Sequence, residues 1–208
     1  MFITFEGPEG SGKTSVANEV CQKLEALGYA IVRTREPGGT PIAEDIREIL
    51  LNKKNGVLDP RAEALLFAAS RRQHLVEKVW PAVAEGKIVI CDRFLDSSLA
   101  YQGGARGLGV DNVLNINLFA TEGRYPDLTL LFDISPEKGL ARIAKNANRE
   151  VNRLDLEKME FHKKVRQTFL DLAKRYADRY VIIDASLPLE VVVEHAFKAI
   201  TDRLGAAR

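Results

Sequence analysis

The chain has 208 residues, a formal net charge of +1, 46% hydrophobic and 28% charged residues. That is enough for one domain with a substantial core, and the near-neutral charge excludes a general nucleic-acid binder, which carries a basic surplus. The opening MFITFEG lacks a charged-then-apolar leader and no apolar run is long enough to cross a bilayer, so a cytoplasmic protein with no membrane partner is expected.

FITFE, residues 2–6, is nearly continuous in apolar and β-branched residues, as suits a central strand covered on both faces. A glycine-rich stretch follows, then a helix from about Lys13 to Leu27, with Val16, Val20, Leu24 and Leu27 on one stripe and Gly28 at its end. YAIVRTRE, 29–36, reads as a second strand ending at Pro37-Gly38-Gly39. Thr40 is placed to cap a helix to about Leu51, with Pro41 at its first position. A long helix spans Pro60 to Val79, is interrupted at Pro81 and finishes near Gly86. Strands follow at 87–91, 127–134 and 179–185, separated by helical patterns at 110–122, 136–145, 155–177 and 189–204. Strands alternating with helices predict an α/β fold: one domain over 1–208, with a five-stranded parallel sheet covered on both faces. Ligands of such sheets gather at the carboxyl ends of the strands. Cys21 and Cys91 fit no metal spacing and read as reduced core residues.

Gly7-Pro8-Glu9-Gly10-Ser11-Gly12-Lys13-Thr14 matches G-x-x-x-x-G-K-S/T between a strand and a helix, the context this motif requires. Backbone N–H groups of such a loop converge on phosphate oxygens, and the helix amino terminus adds a favourable dipole. Lys13 is expected to bridge the β- and γ-phosphates of ATP, and Thr14 to ligate Mg²⁺. A GTPase needs a guanine-reading N-K-x-D, and Asn52-Lys53-Lys54-Asn55 lacks its acid. A small kinase fits better.

The third strand ends in Asp92-Arg93. The aspartate can hold Mg²⁺ through water, and the arginine offers a planar fork to a second phosphate. Ser97, Ser98, Tyr101 and Gln102 follow, suited to reading a base or sugar by hydrogen bonds. Arg35 and Glu36 end the second strand, and Arg47 lies two turns into the next helix. Phe67, Arg71 and His74 share a helix face, where a ring and a guanidinium can stack on a base and bond its edge. His74 and Trp80 read as packing. Residues 142–155, RIAKNANREVNRLD, are polar and basic: either a solvated loop or a lid bringing Arg149 and Arg153 over the triphosphate.

Four segments together resemble bacterial thymidylate kinases: EGPEGSGKT at 6–14, TREPGG at 34–39, LFAASR at 66–71 and DRFLDSSLAYQG at 92–103. The resemblance covers Phe2 to about Leu204, and the segment at 92–103 is far more specific than the phosphate loop. It implies a P-loop fold of the nucleoside monophosphate kinase type with a short lid, ATP and dTMP as substrates, Mg²⁺, and a homodimer. It also implies that Phe67 stacks on thymine, Arg71 donates to its O4, and Ser98 and Gln102 approach its polar edge. Tyr101 would crowd the sugar, Arg35 and Arg93 clamp the acceptor phosphate with Arg47 near it, and Glu9 reach the sugar hydroxyl and metal-bound waters. The Glu36–Pro37 bond would be cis, and Ser186-Leu187-Pro188 would border the adenine. Where some members carry an arginine in the phosphate loop, this chain has Gly10. The branch without it places catalytic arginines in the lid, which Arg149 and Arg153 match, with Arg142 a weaker candidate.

Two alternatives follow from the same residues. A deoxynucleoside kinase would need a carboxylate, Glu9, Glu36 or Asp92, to take a hydroxyl proton. A nucleotide-binding module would bind without transfer.

Overall fold

The computed structural model describes residues 1–55, 58–145 and 153–206. Five parallel strands, β1 (Phe2–Glu6), β2 (Ile31–Arg35), β3 (Ile88–Asp92), β4 (Leu128–Asp133) and β5 (Tyr180–Asp184), form one sheet in the order β2-β3-β1-β4-β5. The chain leaves β1 toward one edge, returns to insert β3, and then crosses to the other side. Connections therefore diverge around β1, and that divergence opens a crevice at the strands' carboxyl ends.

Alternation along the strands builds two cores. Ile3 and Phe5 of β1, with Ile88 and Ile90 of β3, face a layer made by α1 (Lys13–Ala26) and α9 (Leu189–Ala206). Phe2, Val89 and Cys91 face the opposite layer. There lie α2 (Pro41–Leu51), α3 (Pro60–His74), α6 (Val110–Thr121) and α8 (Met159–Arg175). The remaining helices are α4 (Trp80–Ala84), α5 (Leu95–Ser98) and α7 (Pro136–Lys145). The sheet is covered on both faces, as the near-continuous apolar strands predict. Both cysteines are buried and unpaired, and among the described residues no helix is long and apolar enough to cross a membrane.

Several local expectations change. Leu27 is exposed rather than part of the α1 stripe, because the helix has already ended at Ala26. The Thr40 hydroxyl makes no cap bond to α2; the Glu44 carboxylate accepts the Gly39 N–H at 2.7 Å instead. Pro41 does open that helix. Pro81 does not break the long helix. The turn before it, Leu75–Val79, widens to π-type spacing, and the helix runs on as α4 to Ala84. Proline removes an N–H and crowds the carbonyl four residues back, and a wider turn relieves both. Helix α8 begins at Met159 rather than near Asp155, after a short 3₁₀ turn at Leu154–Leu156. Residues 95–105, given no element above, are helical: α5 passes into a wide π-type stretch at Leu99–Ala105.

Candidate active site

The ends of β1, β2 and β3 meet at one cleft of about 1930 Å³. A small-molecule site occupies roughly 300–1,000 Å³, so this one has room for two nucleotides. Its lining includes Glu9 to Thr14, Arg35, Glu36, Arg47, Phe67, Arg71, Asp92, Arg93, Ser97, Ser98, Tyr101 and Gln102. Tertiary structure thus gathers nearly all the residues singled out from the sequence.

At the end of the cleft under β1, the loop from Gly7 to Gly12 wraps the Lys13 ammonium. Its Nζ donates to the carbonyls of Gly7 and Pro8 and to Ser11 Oγ, each at 3.0 Å. Burial, with the Arg93 charge added, pulls the Lys13 pKa down to about 8, against the opposing pull of nearby carboxylates. A polyphosphate in this loop would restore the full charge. A Cβ on Gly10 would stand 2.1 Å from the carbonyl oxygen of Gly139, and one on Gly139 would stand 2.2 Å from that of Glu9. The loop and α7 are therefore in backbone contact. No side chain fits at position 10, which accounts physically for the missing arginine.

Thr14 Oγ1 donates to Asp92 Oδ2 at 2.6 Å, bringing the expected hydroxyl and carboxylate together at the amino end of α1. An all-oxygen pair of this kind suits a hard cation such as Mg²⁺. Glu9, also considered for the metal, has its Oε1 engaged elsewhere, by Arg93 Nη2 at 2.6 Å and the Tyr101 hydroxyl at 3.0 Å.

Arg93 is the hub between the two ends. Its backbone takes the left-handed region, with φ 68°, which turns the side chain back over the loop. Nη1 donates to the Gly7 carbonyl and to Ser97 Oγ, each at 3.2 Å, and the guanidinium lies 5.1 Å from the centre of the Tyr101 ring. Burial disfavours its charge, but Glu9, Tyr101 and Asp92 outweigh burial and hold its pKa above the ordinary arginine range. Beneath it, Glu6 is fully buried and accepts from the Phe94 N–H at 2.8 Å and from the Ser97 hydroxyl at 2.5 Å. Burial and the nearby Asp96 push the Glu6 carboxyl up to about 7, although these hydrogen bonds and Arg93 oppose the rise. Asp96 is itself held by Arg179, with both contacts at 2.7 Å.

At the other end of the cleft the Glu36–Pro37 peptide is cis, as the resemblance implies. Arg47 Nη1 donates to the Pro37 carbonyl at 2.9 Å, and Arg35 pairs with Glu44 at 3.0 Å. Phe67 and Arg71 of α3 come to the cleft with Ser98 and Gln102. Arg71 Nη1 donates to Ser98 Oγ at 3.1 Å and also contacts Asn117 Oδ1. Gln102 Nε2 donates to Glu63 at 2.8 Å.

Of the expected lid, Arg142 belongs to the last turn of α7 and donates to the Ala185 carbonyl at 2.8 Å, next to the segment expected to border adenine. Arg149 lies outside the described residues. Arg153 is held beside α2 and α3, with Nε donating to the Leu50 carbonyl at 3.1 Å and Nη2 paired with Glu63.

Glu63 and Asn117 were not singled out from the sequence. Glu63 is fully buried and gathers Gln102, Arg106 and Arg153. It lies four residues before Phe67, so extending the Phe67–Arg71 stripe one turn back finds it. Asn117 sits mid-helix in α6 and carries no sequence signal.

The model of one protein family, Thymidylate kinase, matches residues 5–196 of the chain. A thymidylate kinase of Bacillus velezensis is 56% identical over 204 residues, covering 98% of this chain and 96% of that protein. One from a Geobacillus species is 54% identical over 203 residues, covering 98% of this chain and 97% of that protein. The crystal structure of thymidylate kinase from Ehrlichia chaffeensis superposes with a TM-score of 0.79 at 35% identity, covering 97% of this chain and 98% of that one.

Proposed function

The chain belongs to the thymidylate kinase family, and from that premise we propose that its cleft moves the γ-phosphoryl group of ATP onto the 5′-phosphate of dTMP. The products are dTDP and ADP, a step toward dTTP. One observation carries the division of labour: Lys13 and Thr14, Arg93, and the Phe67–Arg71 stripe line a single cleft, with Arg93 bonded to the loop and packed on Tyr101.

The second pKa of a phosphate monoester is about 6, so the acceptor already carries a nucleophilic oxygen at neutral pH and needs no general base. The obstacle is the approach of two anions, which positioned cations overcome. Lys13 would hold the donor phosphates, Arg93 and Arg35 the acceptor phosphate with Arg47 beside it, and Arg149 and Arg153 the transferring group. Thr14 and Asp92 would hold Mg²⁺, which when bound neutralises charge on the phosphate oxygens. Phe67, Arg71, Ser98 and Gln102 would receive the base, and Glu9 with Tyr101 the sugar. Support for arginines in the lid comes from the closed backbone contact at Gly10, which leaves no room for an arginine at that position.

The deoxynucleoside-kinase alternative is weakened by the carboxylates it would use. Glu9 pairs with Arg93, Glu36 with Arg71, and Asp92 accepts from Thr14. Assaying ADP release with dTMP, other monophosphates and thymidine tests the proposal. Turnover is expected with dTMP and absent with thymidine. Turnover on thymidine alone overturns it, and nucleotide binding without turnover returns the binding-module reading.

A homodimer is part of the same proposal. Phe119 on α6 is 90% exposed and Leu65 on α3 is 57% exposed, on two helices that pack together, and a second copy covering them would remove both from water. Sedimentation showing a single species at the 23.1 kDa monomer mass at micromolar concentration contradicts it. A cytoplasmic location fits the two unpaired cysteines.

A further inference from the structure

Behind the base-side wall of the cleft lies a buried chain of side chains that the transfer chemistry does not use. His74, in the last turn of α3, has no solvent exposure, and both of its ring nitrogens are engaged. Nδ1 is 2.9 Å from Glu36 Oε1, and Nε2 is 2.7 Å from Thr34 Oγ1. A carboxylate only accepts, so Nδ1 carries the proton toward Glu36, and Nε2 shares a hydrogen bond with the Thr34 hydroxyl. The ring has little freedom to leave this arrangement. The loop after β2 presses on it so closely that a Cβ on Gly39 would stand 2.7 Å from His74 Cδ2.

The other Glu36 oxygen, Oε2, accepts from Arg71 Nε at 2.8 Å. Arg71 Nη1 is shared between Ser98 and Asn117, and the guanidinium lies 5.1 Å from the centre of the Phe94 ring. Two of its three nitrogens are thus tied to protein. Among the described residues, Nη2 has no such partner, and Arg71 lines the cleft. The direction in which Nη2 presents its N–H groups is set by Glu36, and the rotamer of Glu36 is set by His74.

Glu36, His74 and Cys91 also bring possible metal-ligand atoms within 4.8 Å of one another. Their chemistry does not suit a metal. Burial, then Glu36, pushes the Cys91 thiol well above its ordinary pKa, its Sγ faces the Arg93 carbonyl at 3.1 Å, and both Glu36 oxygens are occupied. Metals bind the thiolate, and the cluster offers none.

We propose that His74 is a positioning residue for base recognition: through Glu36 it orients Arg71 so that Nη2 meets a carbonyl acceptor on the base edge. This rests on the cleft accepting a pyrimidine monophosphate, as argued above. Arginine only donates, so the arrangement favours a 4-oxo pyrimidine and opposes a 4-amino one, whose N–H groups would face Nη2. His74, with Thr34 behind it, therefore tunes the preference for dTMP over dCMP without touching either.

The test is kinetic, with His74→Ala, His74→Asn and Thr34→Val. Losing one buried hydrogen bond that holds a charged group predicts about a tenfold rise in KM for dTMP in His74→Ala and a similar fall in the kcat/KM ratio of dTMP to dCMP. KM for ATP stays within about twofold, since the loop at Lys13 is untouched. Asparagine places its amide nitrogen where Nδ1 lies, so His74→Asn recovers most of the selectivity. Thr34→Val is nearly isosteric and removes only the hydroxyl behind Nε2, so it shifts the ratio in the same direction by a smaller factor. It carries the test should His74→Ala fail to fold. An unchanged dTMP-to-dCMP ratio in the folded variants overturns the proposal, as does an equal loss toward ATP and dTMP, which marks a merely structural role. Wild-type protein that turns over dCMP as readily as dTMP overturns the underlying base assignment instead, and the two failures are read from different columns of the same assay.

Discussion

Arg153→Ala is expected to lower kcat for dTMP phosphorylation by about 10³, with only a few-fold change in KM for dTMP. An arginine that meets the transferring phosphoryl group contributes roughly 10³–10⁵ in rate, and no side chain at position 10 can substitute for it, because Gly139 occupies that space. Arg153 is anchored on Glu63 and the Leu50 carbonyl, and Leu154 beside it lines the cleft. To serve the transfer it must exchange Glu63 for phosphoryl oxygens. Glu63 can release it without being left as an unpaired buried charge, since Arg106 and Gln102 remain bonded to it. Steady-state kinetics with both substrates varied checks the split. A loss confined to KM for dTMP, reproduced by Glu63→Gln, would show that Arg153 only braces the base-side wall. Unchanged turnover would remove Arg153 from the transfer chemistry.

Arg93→Ala is expected to raise KM for dTMP by about 10²-fold, the scale of a lost charge-assisted clamp on a phosphate. The guanidinium joins the loop at Gly7 to Ser97 and Glu9, and it packs on Tyr101. Its removal takes a cation from the acceptor and leaves Glu9, itself almost buried, to repel the incoming phosphate. Arg93→Lys keeps the charge but not the fork, so it recovers only part of the affinity. ATP binding measured without dTMP should change little by comparison, because Lys13 and the loop amides remain. An unaltered KM for dTMP removes Arg93 from the acceptor clamp. A thermal melt alongside the kinetics separates a lost clamp from a lost fold, since breaking the pair with Glu9 also lowers stability.

How much of this was legible beforehand depends on the range of the interaction that carries it. Strands β1, β3 and β4 stood out because a parallel strand buried on both faces needs a nearly continuous run of apolar and β-branched residues, and each has one; the shorter apolar run of β5 lies at the sheet edge. The phosphate loop was legible because its geometry is local: six residues between one strand and one helix. Phe67 and Arg71 were legible through helical period, and one more turn of the same period reaches Glu63. Pro81 misled because a proline reads as a break, whereas neighbouring turns absorbed it by widening. Residues 99–105 carried no clear period because a π-type helix does not repeat every 3.6 residues, and the four residues of α5 before them are too few to show one.

Sequence by itself determined the α/β alternation, the phosphate loop and the kinds of side chain that line the cleft. These rest on chemistry and spacing within single segments. Only the tertiary structure decided which charges meet. It set Glu36 between Arg71 and His74, Glu9 on Arg93, Arg153 on Glu63, and Gly139 against Gly10. Each of these pairings joins residues 35 to 129 positions apart along the chain. Their partners are selected by strand order and helix packing, which no local pattern encodes.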